Sequence, residues 1–160
     1  MRKKCSSIYR MSRRYPARPL LGVGALIFDE TRVLLVERGR PPLAGEWSLP
    51  GGVVETGERL EDAVVREVWE ETGLQVEAAS IATVFERIML DEADGCEYHY
   101  VLIDFYCTVL TGDLQPGDDS RRVAWFEIDS LAKLRLTAGT LQVIEACRSH
   151  PPTHPYVVRP

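Results

Sequence analysis

Residues 52–74 read GVVETGERLEDAVVREVWEETGL, and the fold and the chemistry both turn on this stretch. Among its glutamates are those at positions 55, 58, 67, 70 and 71. Glu67, Glu70 and Glu71 stand three and four residues apart, so a helix of about 3.6 residues per turn places them on one face. On a wheel that face overlaps the arc of Leu60, Ala63 and Val64, the arc a surface helix buries. Carboxylates crowded there repel one another and resist desolvation. A cation removes both costs, and hard oxygen ligands select Mg2+ or Mn2+. The plainer alternative is a charged helix with solvated glutamates. Against it stand the Gly51-Gly52 entry and the Thr72-Gly73 exit, which mark the stretch as a bounded unit.

The chain of 160 residues suits one domain with one substantial core. No apolar run approaches the length needed to span a bilayer. The net charge of −5 hides an asymmetry, because residues 1–20 hold seven basic side chains and no acid. The acidic remainder argues against a general nucleic-acid surface. It fits a protein that attracts metal ions and takes an anionic small molecule with the metal attached. The basic leader, residues 1–18, reads as a flexible arm. Its Arg- and Ser-bearing composition also admits a transit peptide, and Met11 offers a later start. Residues 19–149 form the domain and residues 150–160 an irregular tail. Cys5, Cys96, Cys107 and Cys147 are widely spaced with no C-x-x-C pair, which fits reduced thiols in the cytoplasm. Cys107 lies in an apolar strand and is expected in the core.

Leu20–Phe28 reads as a buried strand and Thr31–Glu37 as the returning strand of a hairpin. Residues 38–45 form a loop around Pro41-Pro42. Trp47–Leu49 is a short strand ended by Pro50-Gly51-Gly52. Arg59–Thr72 is the helix, with Gly73 suited to its left-handed cap. Val76–Leu90 gives one or two strands, residues 91–97 a polar turn, and Tyr98–Leu110 a long strand apolar on both faces. After a loop over 111–122, Val123–Ile128 is a strand. Asp129 or Ser130 caps a short helix, and a last helix runs from Thr137 to about Ser149 with Val143, Leu141 and Ile144 on its apolar side. The uneven alternation predicts an α/β fold, a mixed sheet with helices on both faces.

Gly52, five residues, Glu58, seven residues, and then REVWEETGL from Arg66 to Leu74 match every fixed position of the Nudix box. The chain thus resembles the Nudix hydrolases, which cleave nucleoside diphosphates linked to another group. YPARPLLGVGALIF, LLVERGRPPLAGEWSLPGG and GDDSRRVAWFEI extend the resemblance to the ADP-ribose pyrophosphatase-like branch over most of residues 15–147. It implies an αβα sandwich with a mixed central sheet. It implies Glu67 and Glu71 as the main magnesium ligands, Glu70 as a further or water-mediated ligand, the Gly51 carbonyl completing the shell, and Glu55 reaching from the entry loop. Glu58, placed in the first helical turn, orients a water or a neighbouring ligand. Arg66 holds the cluster or simply pairs with Glu70 at i,i+4. For the general base, Asp118 and Asp119 of the later loop are preferred; the earlier turn also offers Asp91, Glu92, Asp94 and Glu97, and a box glutamate such as Glu70 serves in other family members.

The substrate implied first is ADP-ribose or another nucleoside diphosphate sugar, giving two monophosphates. Trp47, with Phe85, Tyr98 and Tyr100, offers a stacking surface. Arg38, Arg40 and Arg87 offer a phosphate site, while His99 reads as structural. Two family marks are absent: the proline at a set distance after the box, where the chain reads Arg87-Ile88-Met89-Leu90, and the SQPWPFPxS motif of the NADH class. Two other functions stay open, sanitation of modified nucleoside triphosphates and a ligand-sensing regulator. The resemblance also allows a homodimer.

Overall fold

The structure is a computed structural model describing residues 13–41, 43–117 and 120–149. The leader up to residue 12, the tail from residue 150, and Asp118 and Asp119 lie outside the described residues.

Strand β1 (Leu20–Leu26) lies at the centre of a four-stranded mixed sheet. It pairs antiparallel with β5 (Gly51–Val53) and parallel with β7 (Cys96–Thr111), and β7 pairs antiparallel with β6 (Gln75–Leu90). A second sheet joins β2 (Phe28–Asp29), β3 (Arg32–Arg38), β4 (Trp47–Ser48) and β8 (Ser120–Glu127), with β8 and β4 both antiparallel to β3. The expected mixed sheet is present, and a second, antiparallel sheet packs beside it. The expected hairpin is split, because β1 stays in the first sheet while β2 turns into the second. Leu34 bonds back to the Ile27 carbonyl at 3.0 Å across that division. Strand β5 is an addition to the expected elements. Gly51 and Gly52 read locally as a strand end, yet the missing side chain is what lets this backbone press against Val23 and Gly24.

Strands β6 and β7, each 16 residues long, form one twisted hairpin. Its turn is fixed by Asp91, whose Oδ1 accepts from the amides of Ala93 and Gly95 at 2.9 and 2.8 Å. These bonds hold the Asp91 carboxyl below its ordinary value. Arg14 and Tyr15 lie against this turn, through Glu97 at 2.7 Å and Asp91 at 2.9 Å.

Helix α1 (Leu60–Thr72) starts one residue later than expected and buries Ala63, Val64, Val68 and Thr72. These pack on Val23, Ala25 and Phe105 of the mixed sheet. Burial of Val64 and Val68 contributes about 1.5–3 kcal/mol each. Gly73, at φ 72°, closes the helix by donating to the Trp69 carbonyl at 3.0 Å. On the other side, Leu26, Val33, Leu35, Leu131 and Ile144 form a second core. It is roofed by a 3-10 helix (Ile128–Lys133) and by α2 (Thr140–Arg148). Ser130 bonds to the Glu127 carbonyl and no side chain caps the 3-10 helix. Cys107 is buried as expected, and burial pushes its thiol up to about 12.

Candidate active site

Helix α1 and strand β5 bring the box residues together at one end of a cleft of about 1260 Å3. Glu67 points at the β5 backbone, where a methyl on Gly52 would collide with its carboxylate. Glu71, one turn on, accepts the Gly51 amide on Oε2 at 2.9 Å. Burial raises the Glu67 carboxyl above its ordinary value, against the lowering pull of Arg66.

Arg66 is the hub of the cluster. Its Nε and Nη2 donate to the two oxygens of Glu58 at 2.7 and 2.9 Å, the bidentate geometry that guanidinium favours. Its Nη1 donates to Glu67 at 2.8 Å and to Glu70 at 3.2 Å. The i,i+4 pair with Glu70 is therefore one contact among four acidic ones. Glu58 lies ahead of the helix and not in its first turn, where Glu61 and Asp62 stand. It closes the entry loop by accepting the Glu55 amide at 3.0 Å. Arg66 holds its carboxyl below the ordinary range. Glu55 is exposed on the cleft rim.

The residues fit a hard divalent cation by the chemistry of their donors and by the space Gly52 leaves for Glu67. Among the described residues, no three carboxylates, histidines or cysteines are drawn into a ready cage. The Arg66 guanidinium supplies the positive charge between Glu67 and Glu70.

The cleft runs from this cluster between the two sheets. Arg38, Arg40, Arg87, Phe85 and Tyr100, the residues offered above as a phosphate site and a stacking surface, line it. Arg87 donates to the Ala138 carbonyl at 2.8 Å and stacks over Phe85. Burial, then the neighbouring Arg38, lowers its guanidinium below the ordinary value. The Nε atoms of Arg38 and Arg87 and the Ser48 hydroxyl are buried without a hydrogen-bond partner among the described residues. Trp47 corrects an expectation, since it does not line this cleft. Its ring is 8% exposed, packs edge-on against Phe126 at 4.7 Å, and belongs to the second core. Tyr98 stacks on Tyr100, and His99 pairs with Glu86 at 3.0 Å. Asp118 and Asp119, the preferred bases, lie outside the described residues.

Asp104 joins the site without a motif to mark it. It is 4% exposed, lines the cleft floor, and burial pushes its carboxyl up to about 6. The available signal is its place as the single acid within the apolar core of VLIDFYCTVL.

The NUDIX domain model matches residues 18–147. The chain belongs to the Nudix family. Among Nudix relatives, an ADP-ribose pyrophosphatase of Methanocaldococcus jannaschii is 37% identical over 116 residues, 72% of this chain. The match spans 66% of that relative's length, and 26% of the length of a Caenorhabditis elegans relative. The crystal structure of a MutT Nudix hydrolase from Burkholderia pseudomallei superposes with a TM-score of 0.71 at 36% identity, covering 81% of this chain and 98% of that one. The NUDIX domain of Shewanella oneidensis NrtR, solved with ADP ribose, gives 0.66 at 25% identity, covering 82% and 88%. Nudix hydrolases generally need a divalent metal, which agrees with the acidic donors on α1. No helix among the described residues is long and apolar enough to cross a membrane.

Proposed function

We propose that this chain hydrolyses a nucleoside diphosphate linked to another group, ADP-ribose or a related nucleoside diphosphate sugar, with Mg2+ or Mn2+, giving two monophosphates. The observation that carries the reading is geometric. Glu67 and Glu71, one turn apart, meet the Gly51–Gly52 backbone at the end of a cleft whose other wall presents Arg38 and Arg87.

Glu67 and Glu71 would hold the metal, with Glu70 as a further contact and Glu55 and the Gly51 carbonyl at hand. When bound, the metal neutralises diphosphate charge and acidifies a water. Arg66 holds Glu67 and Glu70 in place by donating to both, and Glu58 anchors Arg66 to the entry loop. Arg38, Arg87 and the rim Arg40 attract the anionic substrate and orient it along the cleft. Hydrolysis then adds water to one phosphorus and breaks its bond to the bridging oxygen. A carboxylate takes the water proton, with Glu70, Asp118 and Asp119 the candidates. The close relatives' names and the ADP ribose seen in the NrtR domain support this substrate class. The free thiols of Cys96, Cys107 and Cys147 support a reducing, cytoplasmic setting.

A panel of ADP-ribose, other nucleoside diphosphate sugars and oxidised deoxynucleoside triphosphates at fixed Mg2+ tests the proposal. AMP and ribose 5-phosphate released from ADP-ribose support it. A strong preference for an oxidised triphosphate replaces it with a sanitising role. Tight ADP-ribose binding without turnover points instead to a sensor. Sedimentation decides between a monomer and the homodimer that the family resemblance allows.

A further inference from the structure

The floor of the cleft holds a charge that the metal cluster does not use. Asp104 is buried on β7, and among the described residues its carboxylate has no hydrogen-bond donor, only the field of Arg87 nearby. Buried carboxylates are ordinarily satisfied by donors, since desolvation without compensation costs free energy. The same cleft collects the three buried side-chain atoms that lack partners, Arg38 Nε, Arg87 Nε and Ser48 Oγ. The Asp104 carboxylate on the cleft floor is an acceptor that a donor group on a bound ligand can satisfy.

The sheet register gives the distance to the box. Gly51 pairs with Gly24, and Gly24 pairs with Asp104, so the three lie in one row across β5, β1 and β7. Two strand spacings put the Asp104 backbone about 10 Å from that of Gly51. Gly24 leaves the row open, because a methyl there would collide with the Asp104 carboxylate. A diphosphate held against α1 would therefore carry its attached sugar or base to Asp104.

We propose that Asp104 is a specificity-determining residue of the cleft, accepting a hydrogen bond from a hydroxyl or amino donor on the group that the diphosphate carries. The inference rests on the hydrolase reading for the position of the diphosphate, yet binding tests it separately.

The experiment compares wild type with Asp104→Ala and Asp104→Asn. The probes are ADP-ribose, two analogues each lacking the hydroxyls of one sugar, and the inosine counterpart lacking the adenine amino group. kcat/KM is measured with Mg2+, and binding by calorimetry without divalent metal. In wild type, one analogue is expected to fall about tenfold or more below ADP-ribose, because its loss leaves Asp104 unpaired. The alanine variant lowers ADP-ribose by a similar factor and leaves that analogue within about threefold, so the discrimination collapses. Which analogue it is tells hydroxyl from amino donor. Equal losses for all four probes, or none, overturn the proposal, as does wild-type protein that binds none of them. If nothing is hydrolysed but binding still discriminates through Asp104, the pocket stands and the hydrolase reading falls. Thermal melts confirm that both variants fold.

Discussion

Asp104→Asn should stabilise this protein at neutral pH, and by a pH-dependent amount. The carboxyl titrates at about 6 in the fold against an ordinary 3.8. Burial is the cause, and Arg87 only partly opposes it. Between those values the folded state holds a proton that the unfolded chain has lost, so stability falls as pH rises from about 4 through 6. A tenfold change in proton affinity corresponds to about 1.4 kcal/mol, which makes the ionised carboxylate a cost of about 3 kcal/mol at pH 7. Asparagine mimics the protonated form and removes that cost. Denaturant titrations of both proteins from pH 4 to 8 read the difference directly, because the other titrating groups are common to both. The gap should be small near pH 4 and approach its full value by pH 7. For a chain of this size that equals about 6–12 °C in Tm. A gap that does not change with pH, or a wild type more stable than the variant at pH 7, refutes the reasoning. A stabilising change that harms recognition is the trade expected where a buried charge serves binding.

Glu71→Gln should lower turnover at least about a hundredfold with little change in the melting curve, since a metal ligand is lost while the helix stays intact; a variant that stays active and magnesium-dependent contradicts the assignment. Gly52→Ala pushes a methyl into the Glu67 carboxylate, and Mg2+ affinity by calorimetry should drop about tenfold or more. Unchanged affinity would remove Glu67 from the site. Gly73→Ala forces a side chain into φ 72° and toward the Asp113 carbonyl at 2.8 Å. It should cost about 1–2 kcal/mol of stability in urea titration and leave Mg2+ binding alone.

Spacing alone determined the helix over the box, its glycine cap and the grouping of Glu67, Glu70 and Glu71, because those depend on local periodicity and on steric rules for single residues. Alternation and turn residues likewise placed the strands of the long hairpin within a few positions. Tertiary structure decided the rest. Gly51 and Gly52 locally end a strand, and only β1 as a partner makes them begin β5. Trp47 has the chemistry of a stacking ring, but the pairing of β4 and β8 with opposite edges of β3 turns it to Phe126 in the second core. Glu58 reads as a helical acid until Arg66 reaches back eight residues to claim it. Asp104 looks like an isolated polar residue in an apolar strand. Only the close pairing of β7 with β1, and of the two sheets around one cleft, leaves that carboxylate buried, unpaired and facing a ligand space. Local sequence sets which side chains share a face; contacts distant in the chain set what that face meets.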